Sequence, residues 1–151
     1  MARSIVLRKL STRAHTRAEL ERALAAKQVP APAAEAVLDR MAELGLVNDE
    51  AFARDWVESR QQRRHLSRRG LQQELTRKGV ARETISSVVQ EVGTGDELIA
   101  AHALVNKKRA ALAGLDPAVR YRRLAGLLSR RGYSSDVVST VLQQTASGSD
   151  D

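Results

Sequence analysis

Two clusters of basic residues carry the strongest chemical signal in this sequence. The first has Glu74 as the only acid between its ends and comprises Arg60, Arg63, Arg64, Arg68, Arg69, Arg77 and Lys78. The second has no acid among or between its members, which are Arg120, Arg122, Arg123, Arg130 and Arg131. Guanidinium groups without nearby carboxylates bind phosphates or acidic protein surfaces through paired hydrogen bonds. We therefore predict that both clusters contact nucleic acid or an acidic partner, in preference to forming only a solvated helix face.

Catalysis and metal binding require residue spacings that this sequence does not contain. The chain has no cysteine, and His15, His65 and His102 share no ligand spacing with one another or with the acids. It has no Walker A loop, nucleophile elbow or HExxH motif. Asp49 and Glu50 stand at a predicted helix start, where negative charge complements the helix dipole. We predict a protein that is not an enzyme and uses no metal or cofactor, with a nuclease or an ATPase as the enzymatic alternative.

The few aromatic residues could either stack on bases or fill the core. Phe52 and Trp56 lie four residues apart, so a helix places them on one face, and a base-stacking platform is one interpretation. The apolar neighbours Ala53 and Val57 favour the other interpretation, in which the pair packs into the core. Tyr121 stands among arginines, and the sequence leaves open whether it contacts DNA.

Composition constrains the elements that must position these residues. The 151 residues are 42% hydrophobic but only 3% aromatic, so the core must be aliphatic, which suits helix packing. The net charge of +7 favours nucleic acid as the partner. No apolar run approaches the length of a transmembrane helix, and residues 1–10 lack the apolar stretch of a secretory signal. We expect a cytoplasmic protein with no membrane partner and no small-molecule substrate.

A repeat of about fifty residues organises the chain. Leu20 aligns with Leu71 at an offset of 51 residues, and a further shift of 53 residues reaches Leu124. Each copy is followed by apolar residues at i, i+3, i+4 and i+7, which form one helix face. This pattern predicts an all-α fold of three tandem three-helix repeats that form an elongated, curved helical array. The repeats are predicted at residues 1–48, 49–95 and 96–145, with a disordered tail at residues 146–151.

Residues that start and stop helices divide these repeats into nine predicted helices. The predicted ranges are 4–11, 17–28, 32–44, 49–63, 68–78, 82–92, 96–113, 117–131 and 135–145. The predicted starts are two capping boxes (Thr16 with Glu19, Thr94 with Glu97), a cap at Ser67, and Asp116 before Pro117. The predicted left-handed residues that end helices are Gly45, Gly79 and Gly132.

The segment from Leu44 to Arg60 resembles the signature of the RecX family of recombinase regulators. In that family a loop rich in Asp and Glu leads into a helix containing Phe-Ala, then Trp-Val, then Ser-Arg. The resemblance continues through residues 71–80 and upstream through residues 11–24, and with the repeat it covers nearly the whole chain. Gln28 departs from the pattern, because a glycine often closes the second helix there. The motif residues, expected to be structural, are Asp49, Glu50, Phe52, Ala53, Trp56, Val57, Leu71, Leu75 and Gly79.

The resemblance implies a protein that binds the RecA recombinase and its nucleoprotein filament and limits filament growth, ATP hydrolysis and strand exchange. The basic clusters would then contact acidic RecA surface or the phosphates of single- and double-stranded DNA, independently of sequence. The alternative is a DNA-binding regulator built on helix-turn-helix units, which short helices and short turns permit. The Leu, Val and Ala residues at the candidate base-reading positions disfavour that alternative.

Overall fold

The protein is helical throughout the part of the chain that is described. The computed structural model describes residues 1–147, with side chains at every position except Arg63, Thr94 and Ser147. Within that range the chain forms nine α-helices and no strand: α1 Ala2–Thr12, α2 Arg17–Ala26, α3 Ala31–Glu43, α4 Asp49–Arg64, α5 Arg68–Arg77, α6 Arg82–Gln90, α7 Thr94–Leu112, α8 Pro117–Arg130 and α9 Ser135–Ser147. The predicted all-α fold of three three-helix repeats is confirmed. Each helix boundary lies within two residues of its prediction.

The predicted tail begins inside a helix. α9 continues through Ala146 and Ser147, two residues beyond its predicted end. The remainder of the predicted tail, residues 148–151, lies outside the described residues.

The chain forms two compact units whose boundaries differ from those of the repeats. One unit contains residues 1–56 and 74–88, and the other contains residues 57–73 and the chain from residue 89 onward. The divisions fall inside α4, α5 and α6. Each unit therefore combines one terminal repeat with helical segments of the second repeat.

Each terminal repeat has an aliphatic core drawn from one face of its helices. In the first repeat Val6, Leu20, Leu24 and Leu38 are fully buried. The third repeat has the same arrangement, and its buried cluster includes Ala101, Val105, Leu128 and Val141. Burying one large aliphatic side chain stabilises a fold by about 1.5–3 kcal/mol. The predicted helical spacing of these residues is therefore what selects the helix faces that pack together.

The second repeat buries its predicted apolar face as well. α5 buries Leu71 and Leu75 completely, and α6 buries Ile85, Val88 and Val89. The regular spacing that revealed the repeat in the sequence is thus a spacing of core residues in all three copies.

Most of the predicted helix-end signals are confirmed. Thr16 and Glu19 form the predicted capping box at the start of α2. The Ser67 hydroxyl accepts a hydrogen bond from the Gly70 amide at 3.0 Å, and the Asp116 carboxylate accepts one from the Ala118 amide at 3.0 Å. The predicted left-handed conformation is found, in each case with a positive φ, at Gly45, Gly79 and Gly132.

The predicted capping box of Thr94 with Glu97 is wrong. Thr94 is already the first residue of α7, and the N-cap is Gly93, whose amide donates to the Asp96 carboxylate at 3.2 Å. Glu97 is instead buried, and its carboxylate accepts a hydrogen bond from the Arg68 backbone amide at 3.1 Å. Glu97 therefore caps the start of α5 and not the start of its own helix.

Successive repeats are connected by polar contacts of the same design at two places, which we call the first and the second joint. In the first joint, the Thr16 hydroxyl donates to the Lys78 carbonyl at 2.6 Å, and the Asp49 carboxylate accepts from the Arg17 amide at 2.9 Å. Both partners of each bond lie in the first compact unit. The joint therefore ties the start of α2 to the end of α5 and the start of α4.

The second joint has the same parts and lies wholly in the second compact unit. The Ser67 hydroxyl donates to the Arg131 carbonyl at 3.1 Å, and Glu97 occupies the place of Asp49 against the Arg68 amide. This joint ties the start of α5 to the end of α8 and the start of α7. Thr16 and Ser67 are both fully buried, so each hydroxyl is shielded from competing water.

A glycine follows the accepting carbonyl in both joints. A Cβ atom at Gly79 would overlap the Cβ of Ala18, and one at Gly132 would overlap the Ser67 hydroxyl and lie 2.9 Å from the Gly70 amide nitrogen. These glycines therefore serve two purposes, because they adopt a positive φ and also allow the neighbouring helix to approach. Gly45 has a similar φ of 76°, but its Cβ would meet nothing within 4 Å.

Replacing Gly79 by alanine (Gly79→Ala) should destabilise the protein more than Gly45→Ala, which is the matched control. Both substitutions place alanine at a positive φ, which costs about 1–2 kcal/mol. Only Gly79→Ala adds overpacking against Ala18, which costs roughly 1–3 kcal/mol more. Thermal melts followed by circular dichroism would measure the difference, and equal losses of stability would contradict the close approach at the first joint.

Glu19 links the first joint to its surrounding charges. Its carboxylate pairs with Arg13 at 3.0 Å and with the Lys78 ammonium at 3.6 Å, and it accepts from the Thr16 amide at 3.1 Å. Burial opposes ionisation of Glu19, but the bonds from Arg13 and Thr16, with the charge of Lys78, lower its pKa below the usual value.

Because the pKa of Glu19 is lower in the folded than in the unfolded protein, its ionised form should stabilise the fold above about pH 4.5. That contribution is lost as the pH falls through the folded-state pKa. Glu19→Gln should therefore lower the Tm by several degrees at neutral pH and reduce the fall in Tm on acidification. Glu21→Gln, at an exposed position of the same helix, is the control, and parallel curves of Tm against pH for Glu19→Gln and the unmodified protein would contradict this role.

Candidate nucleic-acid interface

The second joint brings parts of the two predicted basic clusters together. The Arg131 guanidinium donates to the Arg64 carbonyl, and the Arg131 carbonyl accepts from the Ser67 amide at 3.3 Å. The Tyr133 hydroxyl donates to the His65 carbonyl. These bonds hold the connection between α4 and α5 against the end of α8, so residues separated by more than sixty positions in sequence lie side by side.

The structure divides the first predicted cluster between the two compact units. Arg60, Arg64, Arg68 and Arg69 belong to the second unit, together with the whole second cluster, whereas Arg77 and Lys78 belong to the first unit. The side chain of the remaining member, Arg63, lies outside the described residues.

Four arginines around the second joint form what we call the joint arginines: Arg64, Arg69, Arg130 and Arg131. Arg64, Arg69 and Arg130 are exposed and Arg131 is half-buried, and none of the four forms an ion pair with any described side chain. The nearest carboxylate in the joint, Glu97, instead pairs with Arg68 at 3.4 Å. Unpaired guanidinium groups beside one another create a local positive potential that favours an anionic ligand.

Burial and the cations around the joint both affect the ionisation of His65. Burial and then the charges of Lys107 and Arg131 lower the pKa of His65 below its usual value. His65 is therefore neutral at physiological pH and adds no further charge. Lys107 on α7 is thus one of the two cations that act on His65.

Three cations at the first joint, Arg13, Arg17 and Lys78, are held in ion pairs. Arg17 pairs with Glu21 at 3.2 Å and with Asp39 at 2.7 Å, while Glu19 engages Arg13 and Lys78 as described above. The repeat offset of 51 residues places Gly70 at the position of Glu19. The second joint therefore lacks the carboxylate that neutralises the first, and we assign the candidate interface to the second joint.

The predicted packing of the aromatic pair is confirmed for Phe52. Its side chain is buried, and its ring stacks on Trp56 with a centroid distance of 5.8 Å. Trp56 is half-buried, donates from its indole nitrogen to the Glu74 carboxylate at 3.1 Å, and lies 4.9 Å from the Lys78 ammonium. Protein side chains thus already occupy the positions around the indole that a stacked base would need.

The remaining members of the second cluster differ in exposure. Arg122 and Arg123 are exposed, and Arg120 is half-buried with its guanidinium 3.4 Å from the Ala113 carbonyl oxygen. Tyr121 is about half exposed. Exposure alone does not establish contact with DNA, so the binding role of these side chains stays a prediction.

Sequence reasoning missed the two carboxylates that complete the joints. The sequence pattern relates Asp49 to the dipole of its own helix and to a structural motif, and Glu97 to a capping box in its own helix. Both carboxylates instead accept from the first amide of a helix in the preceding repeat. The repeat alignment offered a signal, because each acid lies near the start of the first helix of its repeat.

The described residues show neither a membrane span nor a metal cluster. Over residues 1–147, no helix combines the length and the apolarity that crossing a bilayer requires. In the same part of the chain, no three His, Asp or Glu side chains gather as metal ligands.

Comparisons with known proteins agree with the repeat structure. Models of the first, second and third three-helix domains of RecX match residues 2–41, 48–89 and 96–142. Regulatory protein RecX of Streptomyces coelicolor is 46% identical over 95% of this chain and 76% of its own length. That of Mycobacterium avium is 44% identical over 93% of this chain and 82% of its own length.

A solved structure shows the same fold at much lower identity. The crystal structure of RecX from Lactobacillus salivarius superimposes with a TM-score of 0.84 at 17% identity, covering 95% of this chain and 93% of the other. The three domain matches and the identity to the curated relatives both extend over most of the sequence. This chain therefore belongs to the RecX family of regulatory proteins.

Proposed function

We propose that this chain is a negative regulator of the RecA recombinase that acts in the cytoplasm without chemistry of its own. It binds RecA and its DNA filament and limits filament growth, ATP hydrolysis and strand exchange. The observation that carries the proposal is the set of joint arginines, which lie together at the second joint without ion pairs to described side chains. Membership of a family of regulatory proteins supports a binding role in preference to catalysis.

Hydrogen bonds of the second joint hold the backbone near the joint arginines in place before they bind a filament. The connection from Arg64 to Arg68 is bonded to the end of α8 through Ser67, Arg131 and Tyr133. A fixed backbone reduces the conformational entropy that is lost when the side chains bind phosphates. Phosphate contacts of this kind are independent of base sequence, as a protein that acts anywhere along a filament requires.

A DNA-binding regulator of helix-turn-helix type, without RecA contact, is the second candidate. The connection between α4 and α5 is three residues long, which is the length typical of that motif. Competition between duplexes of different sequence separates the two candidates, because a strong preference for one duplex would favour the second.

Removing three of the joint arginines together (Arg64→Ala, Arg69→Ala and Arg130→Ala) should weaken binding to single-stranded DNA by about tenfold or more. Each lost phosphate contact should also reduce the slope of log affinity against log salt by about 0.7. Fluorescence anisotropy with a labelled oligonucleotide, between about 50 and about 300 mM salt, measures both quantities.

The matched control removes three exposed cations from α1: Arg3→Ala, Arg8→Ala and Lys9→Ala. This variant has the same net charge as the first but an intact second joint. It should lose about twofold in affinity at most, as expected for long-range electrostatics alone. An equal loss in the two variants would show that net charge, and not the joint, determines binding.

RecA contact is tested by titrating this protein into RecA that hydrolyses ATP on single-stranded DNA. The unmodified protein should inhibit hydrolysis well below one molecule per RecA, because a filament regulator acts on many subunits at once. The triple joint variant should require a higher ratio, and the α1 control should match the unmodified protein. Intact DNA binding with no inhibition at any ratio would contradict the RecA proposal and leave the DNA-binding candidate.

A further inference from the structure

A groove of about 480 Å³ opens on the third repeat between α7, α8 and α9. The side chains of Val105, Leu124 and Leu142, all nearly or completely buried, give it an apolar base. Arg120 and Tyr121 line it from α8, and Tyr121 leaves 49% of its surface exposed. The volume is sufficient for one large apolar side chain and part of its backbone.

The repeat offset shows what occupies the equivalent position in the other repeats. A shift of 53 residues places Arg120 and Tyr121 at the positions of Ser67 and Arg68. In the second joint those two residues contact the Arg131 carbonyl and the Glu97 carboxylate of the following repeat. The groove therefore lies where, in the first and second repeats, a backbone turn and an acidic side chain dock.

The third repeat has a cationic side chain, Arg120, where the second repeat has the hydroxyl of Ser67. α8 begins three residues before Arg120, and its N-cap is Asp116. The residue equivalent to Ser67 is therefore not a cap but Arg120, a long basic side chain inside the helix. Arg109 of α7 also lines the groove. Asp116 is the only acid between residues 98 and 135, and its carboxylate accepts from the Ala118 amide at 3.0 Å. The surroundings of the groove are therefore complementary to negative charge.

We propose that this groove binds a short acidic segment of a partner protein that carries one large apolar side chain. The apolar side chain enters between Leu124 and Leu142, and a flanking carboxylate pairs with Arg120. This contact does not depend on the DNA contact proposed for the joint arginines.

The test uses the full chain and two fluorescein-labelled peptides, Asp-Glu-Phe-Asp-Glu and Asp-Glu-Ala-Asp-Glu. Anisotropy should show that the Phe peptide binds about tenfold more tightly than the Ala peptide, as expected for burial of an aromatic side chain. Arg120→Glu should weaken binding of the Phe peptide by about tenfold, whereas Arg122→Glu should weaken it by about twofold at most. Arg122→Glu is the matched control, because Arg122 is an exposed residue of the same helix and does not line the groove.

A second variant guards against misfolding of the first. Tyr121→Ala should retain the helical content while losing the preference for the Phe peptide. Three outcomes would each overturn the proposal: equal binding of the two peptides, equal losses in Arg120→Glu and Arg122→Glu, or no peptide binding together with self-association that Arg120→Glu abolishes. The last outcome would identify the groove as an interface between copies of this chain.

Discussion

The connection between successive repeats depends on a buried hydroxyl group that accepts one hydrogen bond while it donates another. Thr16 and Ser67 each accept from an amide of their own helix and donate to a carbonyl of the following repeat. A carboxylate, which is otherwise a good N-cap, could accept but could not donate to that carbonyl. The joint therefore excludes Asp from the usual N-cap residues, whereas Ser or Thr can accept and donate through a single oxygen. The close approach of the two repeats also leaves no room for a Cβ after the accepting carbonyl, which would meet Ala18 at position 79 and the Ser67 hydroxyl at position 132.

The two joints share this backbone design but differ in charge. In the first joint a carboxylate at position 19 neutralises its cations, and in the second a glycine stands at the equivalent position 70. Gly70 also lets the Arg131 carbonyl approach, because a Cβ there would lie 2.8 Å from that oxygen. Gly70 in place of Glu19 thus accounts for the absence of ion pairs at Arg64 and Arg131, whose equivalents Arg13 and Lys78 both pair with Glu19.

Much of the fold could be predicted from sequence because it depends on local patterns. Apolar spacing gave the helices, and the recurrence of that spacing gave the three repeats. The role of Glu97 could not be predicted in this way, because an acid near a helix start has the same sequence pattern whether it caps its own helix or a neighbouring one. The division of the first basic cluster between the two compact units could not be predicted from sequence either, because Arg69 and Arg77 lie on one short helix but belong to different units. Local spacing says which residues share a helix and does not say which other helices that helix will contact.

The joint also requires two different parts in a repeat, a hydroxyl that donates to the following repeat and a glycine turn that accepts from the preceding one. The second repeat carries both complementary parts, the hydroxyl of Ser67 and the glycine turn at Gly79. The first repeat has the hydroxyl but an exposed Gln28 in place of the glycine, and the third has Gly132 but Arg120 in place of the hydroxyl. Of the three, only the second repeat could be duplicated in tandem with every joint preserved. A further copy of the second repeat, placed beside it, could therefore form the same joint on both of its sides.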